Sequence, residues 1–165
     1  MCHPTRHLLI ALSLHVLLLS AWALAAEGKE DEIPLDKVPK PVVAAVKKKF
    51  PEAKLQGAAK QTDDDHTFYE VLIKHKGHEI YVVCEPEGKI VEIDREITLK
   101  DLPKPVSEAL KKQFPKATIV SIEEVTEDDE ITYAVILKPQ KKKTLHVLFD
   151  PKGKVLEEEP LDEKK

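Results

Sequence analysis

The chain has 165 residues, 34% of them charged and 42% hydrophobic, the balance of a folded domain rather than of a disordered one. A formal net charge of −4, with lysines scattered among carboxylates, excludes an electrostatic nucleic-acid binder, which needs clustered Lys and Arg facing phosphate. Aromatic residues make up only 5% of the chain, too few for the stacking platforms that hold bases or sugars.

Residues 1–25 have the layout of a secretory signal peptide: Arg6 with His3 and His7 in front, an apolar run from Leu8 to Leu24, then Ala23-Leu24-Ala25 before Ala26. The run approaches the roughly 20 residues that span a bilayer, so an uncleaved anchor is the alternative. His15 in its middle and the A-x-A ending favour cleavage near Ala25. The mature protein is then secreted or periplasmic, with no stable membrane insertion. Cys2 falls in the leader, which leaves Cys84 alone and unable to form an internal disulfide. Residues 26–33 are charged and short of apolar side chains, and are expected to be a flexible tether.

From Leu35 the chain is written twice. Leu35 to Ala53 and Leu99 to Ala117 match at 11 of 19 positions, including Pro39/Pro103, Pro41/Pro105, Phe50/Phe114 and Pro51/Pro115. The two units run over 34–95 and 97–161, so close together that they are expected to share a surface. Each opens with a short turn closed by Pro39 or Pro103, and in the second Thr98 and Asp101 have the spacing of a capping box. A helix follows with Pro41 or Pro105 in its first turn, where a missing N–H does no harm. Val42, Val46 and Phe50, matched by Val106, Leu110 and Phe114, form its apolar stripe, and Pro51 or Pro115 ends it.

Four strands are predicted after each helix. The first covers about Lys54 to Lys60, matched by Thr118 to Val125. The second alternates Tyr69, Val71 and Ile73, matched by Tyr133, Val135 and Leu137. The third alternates Ile80, Val82 and Cys84, matched by Leu145, Val147 and Phe149, so Cys84 reads as a small core residue rather than a nucleophile. The fourth carries Ile90 and Val91, matched by Val155 and Leu156. Glu85-Pro86-Glu87-Gly88 and Asp150-Pro151-Lys152-Gly153 suit type I turns with a following bulge and predict antiparallel hairpins. One apolar stripe and a one-sided sheet bury each other. The expected fold is α+β, two tandem helix-plus-four-strand repeats with the helices packed on one face of an antiparallel sheet.

The pattern Leu-x-x-Val/Leu-Pro-x-x-Val, the helix closing in Lys-Lys-x-Phe-Pro-x-Ala, and the later Phe-Asp-Pro-Lys-Gly-Lys-Val resemble the PepSY-like family of secreted bacterial proteins, over nearly all of Leu35 to Glu158. The resemblance implies a fold related to the β-lactamase-inhibitor proteins. It implies restraint of a secreted enzyme, bound through the sheet, as the class of function, and it carries over no catalytic residue.

Other chemistry is poorly supplied. His75 and His78, with His66 upstream, bracket a turn without the further ligands a zinc site needs. Asp63-Asp64-Asp65 and Glu127-Asp128-Asp129-Glu130 are contiguous acidic turns without the glycine and distant glutamate of a calcium loop. Ser107 and Ser121 sit in no nucleophile elbow, and the few glycines form no phosphate loop. Lys141-Lys142-Lys143 reads as a soluble hairpin cap.

No catalytic residue, cofactor or metal is therefore expected. On the sheet face turned away from the core, Phe68, Leu72, Tyr81 and Val83, with Ile136, His146 and Leu148 in the second copy, are expected to form an exposed, partly apolar patch that binds a protein partner. The alternative is a small-ligand or metal-binding periplasmic protein using the turn His and Asp residues.

Overall fold

The computed structural model describes residues 29–63, 66–140 and 143–161; the leader expected over 1–25 lies outside them. The two duplicated motifs become helices α1 (Lys40–Lys49) and α2 (Lys104–Gln113). Both start from a proline in extended conformation, Pro39 or Pro103, with a second proline in the first turn. The last intrahelical bonds run from Phe50 N–H to the Val46 carbonyl, 2.8 Å, and from Phe114 N–H to Leu110, 2.9 Å. Pro51 and Pro115 prevent another turn by denying the helical region to the residue before them. Lysines crowd both last turns, where the helix dipole favours cations. No described helix is long and apolar enough to cross a membrane.

The strands are β1 (Lys29–Glu32), β2 (Lys54–Asp63), β3 (His66–His75), β4 (His78–Cys84), β5 (Ile90–Glu96), β6 (Thr118–Glu127), β7 (Glu130–Lys138), β8 (Leu145–Phe149) and β9 (Val155–Pro160). Among the described residues they form one nine-stranded sheet in chain order, antiparallel throughout. The fold is α+β. The two copies meet edge to edge where β5 pairs with β6, from Glu92 opposite Glu127 to Glu96 opposite Glu123.

From Lys29 onward β1 corrects the expectation of a flexible tether over 26–33, of which residues 26–28 lie outside the described residues. Its residues pair with β2, Asp31 opposite Lys60 and Glu32 opposite Ala59, because the outer edge of β2 offers backbone groups that an extended segment satisfies. The exposed carboxylates of Asp31 and Glu32 suit the sheet's edge.

Each helix stripe has a sheet core of its own. Val42 and Val46 of α1 cluster with Val71, Ile73, Ile80, Val82 and Cys84, and Val106 and Leu110 of α2 with Val135, Leu137, Val147 and Phe149. Cys84 and Phe149, equivalent in the repeat, are both completely buried, and burial pushes the Cys84 thiol up to about 11, which keeps it protonated and unreactive. Across the seam Ile93 stands opposite Thr126 and Arg95 opposite Glu124, so the parity of the first core continues into the second. Arg95 Nη2 donates to Glu124 Oε1 at 2.7 Å, and the Tyr133 hydroxyl reaches Glu124 Oε2 at 3.4 Å, a polar stitch between the two apolar clusters.

The turns follow their local chemistry. Lys76 and Gly77 both have positive φ, as do Asp128 and Asp129, which makes the β3–β4 and β6–β7 connections two-residue hairpins of the type whose twist matches the strands. The Glu-Pro-x-Gly and Asp-Pro-x-Gly turns close with Gly88 N–H on the Glu85 carbonyl, 2.8 Å, and Gly153 N–H on Asp150, 3.0 Å. Asp150 Oδ1 also accepts from the N–H groups of Lys152 and Lys154. A Cβ on Gly88 would meet the Pro41 carbonyl oxygen at 2.6 Å, and one on Gly153 that of Pro105 at 2.5 Å. These glycines seat the hairpins against the first turns of the helices, which is why the turn motif and the helix motif are duplicated together.

Candidate functional site

Alternation along the strands sends every second side chain to the face away from the two apolar clusters. All seven residues expected there share it by register. Leu72 stands opposite Tyr81, Glu70 opposite Val83, Ser121 opposite Ile136, and Ile136 opposite His146; Phe68 precedes Glu70 on β3, and Leu148 follows His146 on β8.

Their exposure differs from expectation. Phe68, Leu72, Tyr81 and Leu148 are half-buried, whereas Val83, Ile136 and His146 are 9%, 7% and 3% exposed. The open apolar patch is corrected to an interrupted one. Val83 lies between Glu70 and Glu92, Ile136 between Ser121 and His146, and His146 between Ile136 and Glu159. Strands spaced about 4.8 Å apart bring longer neighbours over a side chain in the middle of a wide twisted sheet.

The larger difference is charge. Glu92, Asp94 and Glu96 alternate along β5, Glu123 and Glu127 along β6, and Glu157 and Glu159 along β9, all on this face. Glu70, Glu92 and Asp94 are buried in it. Burial, and then Glu70, Glu79, Glu123 and Glu96, raise the pKa of the Tyr81 hydroxyl, so four carboxylates surround that ring. Burial followed by Asp128, Asp94 and Glu130 raises Glu127, and burial with a hydrogen bond and charge from Glu159 raises Glu157. His146 is held neutral by burial, with Glu159 pulling weakly the other way, and its Nδ1 is buried without a hydrogen-bond partner among the described residues. Scanning for apolar period-two patterns missed the acidic character, although Glu92-x-Asp94-x-Glu96 and Glu157-x-Glu159 carry the same period in charge.

The other candidates scatter. His75 and His78 stand opposite each other at the end of the β3–β4 hairpin, and the His75 ring meets the edge of Phe50 at 5.4 Å between centroids. Among the described residues no three His, Cys, Asp or Glu side chains are placed to hold a metal ion. Asp128 and Asp129 are the exposed tips of a tight hairpin, while Asp64 and Asp65 lie outside the described residues, as do Lys141 and Lys142. Ser107 donates its hydroxyl to the Lys104 carbonyl at 3.0 Å on α2, and Ser121 faces the sheet side of β6. A shallow depression of about 320 Å³ is lined by Lys74, Gly77, His78, Glu79, Glu96, Ile97 and Thr98, at the small end of the range for ligand pockets and largely polar.

A family model described as "Putative beta-lactamase-inhibitor-like, PepSY-like" matches the chain twice, over residues 20–92 and 85–157. Among solved structures, a protein from Bacteroides eggerthii described as "putative periplasmic" superposes with a TM-score of 0.65 at 24% identity, covering 74% of this chain and 88% of that one. A BLIP-like protein from Bacteroides fragilis has a TM-score of 0.65 at 16% identity, covering 81% and 91%. A DUF2874 family protein from Bacteroides uniformis has a TM-score of 0.64 at 20% identity, covering 74% and 88%. At these identities the likeness is one of fold. No curated protein matches the chain.

Proposed function

The chain belongs to the PepSY-like family, and on that premise we propose that it is a non-enzymatic binding protein of the periplasm that docks an envelope or secreted enzyme on its sheet face and restrains it. Both helices cover one side of the sheet in this reading, each repeat contributing a helix and four strands, and the other side is the working surface. The observation that carries it is the register. One face of the sheet is committed to two apolar cores, while the other presents Phe68, Leu72, Tyr81 and Leu148, half-exposed, on strands of both repeats. Aromatic and aliphatic anchors set among polar groups are what protein interfaces are made of. The leader pattern of residues 1–25 and the "putative periplasmic" description of a protein with the same fold support the compartment.

The test is affinity capture from the envelope fraction of the producing cell, comparing the native protein with Leu72→Arg, Leu148→Arg and with a Lys112→Glu control on the outer side of α2. A partner retained by the native protein and the control but lost by the double variant is the expected result. Equal recovery by all three overturns the sheet face as the docking surface.

A further inference from the structure

The duplication reaches further than the helices and hairpins. β1 meets β2 as β5 meets β6: Asp31 stands opposite Lys60 and Glu32 opposite Ala59 in the first copy, and at the equivalent places Arg95 stands opposite Glu124 and Glu96 opposite Glu123. Ile33 N–H then bonds the Ala58 carbonyl and Ile97 N–H the Ile122 carbonyl, both at 2.9 Å. The accepting strands even share an irregularity, between Leu55 and Gly57 in β2 and between Ile119 and Ser121 in β6. The backbones of β2 and β6 thus offer the same slot, and hydrogen bonding by itself cannot tell β1 from β5.

A chain with two interchangeable slots has a wrong way to assemble. β5 of one molecule laid on β2 of another, or β1 laid on a second molecule's β6, makes the same kind of backbone bonds while linking chains together. Such exchange of equivalent elements between chains is a characteristic failure of repeat proteins.

Charge separates the two slots. Lys60 and Glu124 occupy equivalent positions, both half-buried and each opposite a tyrosine, Tyr69 or Tyr133, yet their signs are opposite. The residues facing them from the incoming strand, Asp31 and Arg95, are reversed to match. Exchange would set Asp31 against Glu124 and Arg95 against Lys60, like charges directly opposite on neighbouring strands, which destabilise a sheet. The next position carries no such signal: Glu32 on β6 would face Glu123 as Glu96 does now, and Glu96 on β2 would face Ala59 as Glu32 does.

We propose that the two reversed pairs, Asp31 with Lys60 and Arg95 with Glu124, assign β1 and β5 to their own slots and so keep the duplicated chain from exchanging strands with a second copy of itself. Pairs as exposed as these add little to stability, but specificity is the difference between right and wrong partners, and exchange turns two attractions into two repulsions.

The test is refolding of the purified protein from urea at high protein concentration, with the oligomer fraction read by size-exclusion chromatography. Asp31→Arg with Lys60→Glu gives both slots the same sign while leaving every native pair opposite in charge, and Arg95→Asp with Glu124→Lys does the same the other way round. Each double variant should give at least about ten times the oligomer fraction of the native chain. The four substitutions together reverse both pairs and restore the distinction, so that chain should refold as the native one does. Circular dichroism of the monomer fractions establishes that all three variants reach the native fold.

Double variants that refold with no more oligomer than the native chain would overturn the proposal. So would a quadruple variant that oligomerises as much as the doubles, because the defect would then follow from the substitutions themselves and not from the matching of signs.

Discussion

At Gly77 φ is +91° and the space where a Cβ would stand is open; at Gly88 and Gly153 φ is +89° and +81°, and a proline carbonyl occupies that space. Gly77→Ala therefore meets only backbone strain, about 1 kcal/mol, whereas Gly88→Ala and Gly153→Ala also force a hairpin off a helix and should cost about 2–4 kcal/mol each. Urea denaturation of the three variants checks the order, and a Gly77→Ala loss as large as the other two would contradict it. His146 makes a prediction about pH. Burial lowers its folded-state pKa below the unfolded value of about 6.5, so its contribution to stability is complete above that pH and is lost as pH falls through the folded value. His146→Gln should therefore lose less stability than the native protein between about pH 7 and about pH 5. The raised carboxyls Glu127 and Glu157 act with the opposite sign, losing stability as pH rises through their folded values, and they cancel because both proteins carry them.

Among the elements, Leu110 anchors α2 over β7 and β8 and is 3% exposed. Leu110→Ala should cost about 3 kcal/mol by lost transfer energy and the cavity left behind, measurable as a lower denaturation midpoint. How much was legible beforehand follows from how local each signal is. Pro41, Phe50 and Pro51 act on their own backbone, and Tyr69-x-Val71-x-Ile73 needs only its own alternation, so helices, strands and hairpins could be read residue by residue. β1 could not, because Lys29–Glu32 has no apolar pattern and is a strand only through the edge of β2. Nor could the burial of Val83, Ile136 and His146, which depends on which strands flank them. The acidic face was within reach but required the alternation to be read in charge as well as in hydropathy.

Across the whole molecule, two cores are joined by one continuous sheet, and the β5–β6 pairing with Arg95 on Glu124 is the bond between them. The ion pair is partly exposed and should contribute little, about 0.5 kcal/mol. Shared backbone hydrogen bonds do most of the joining, and each half alone would bury a smaller fraction of its surface than the pair. The protein should therefore unfold in one transition, and Leu110→Ala should raise amide exchange in β3 and β4 of the first copy as well as in β7 and β8 of the second. Exchange confined to the second copy would show two independent folding units.

A sheet whose strands lie in chain order has no crossover to disturb. Growth can proceed at its far end alone: one more helix and four more strands appended beyond Leu161 would lie beside β9 without rearranging anything already there. Duplication of a gene segment is then enough to widen the protein, and the breadth available to a partner becomes a matter of copy number.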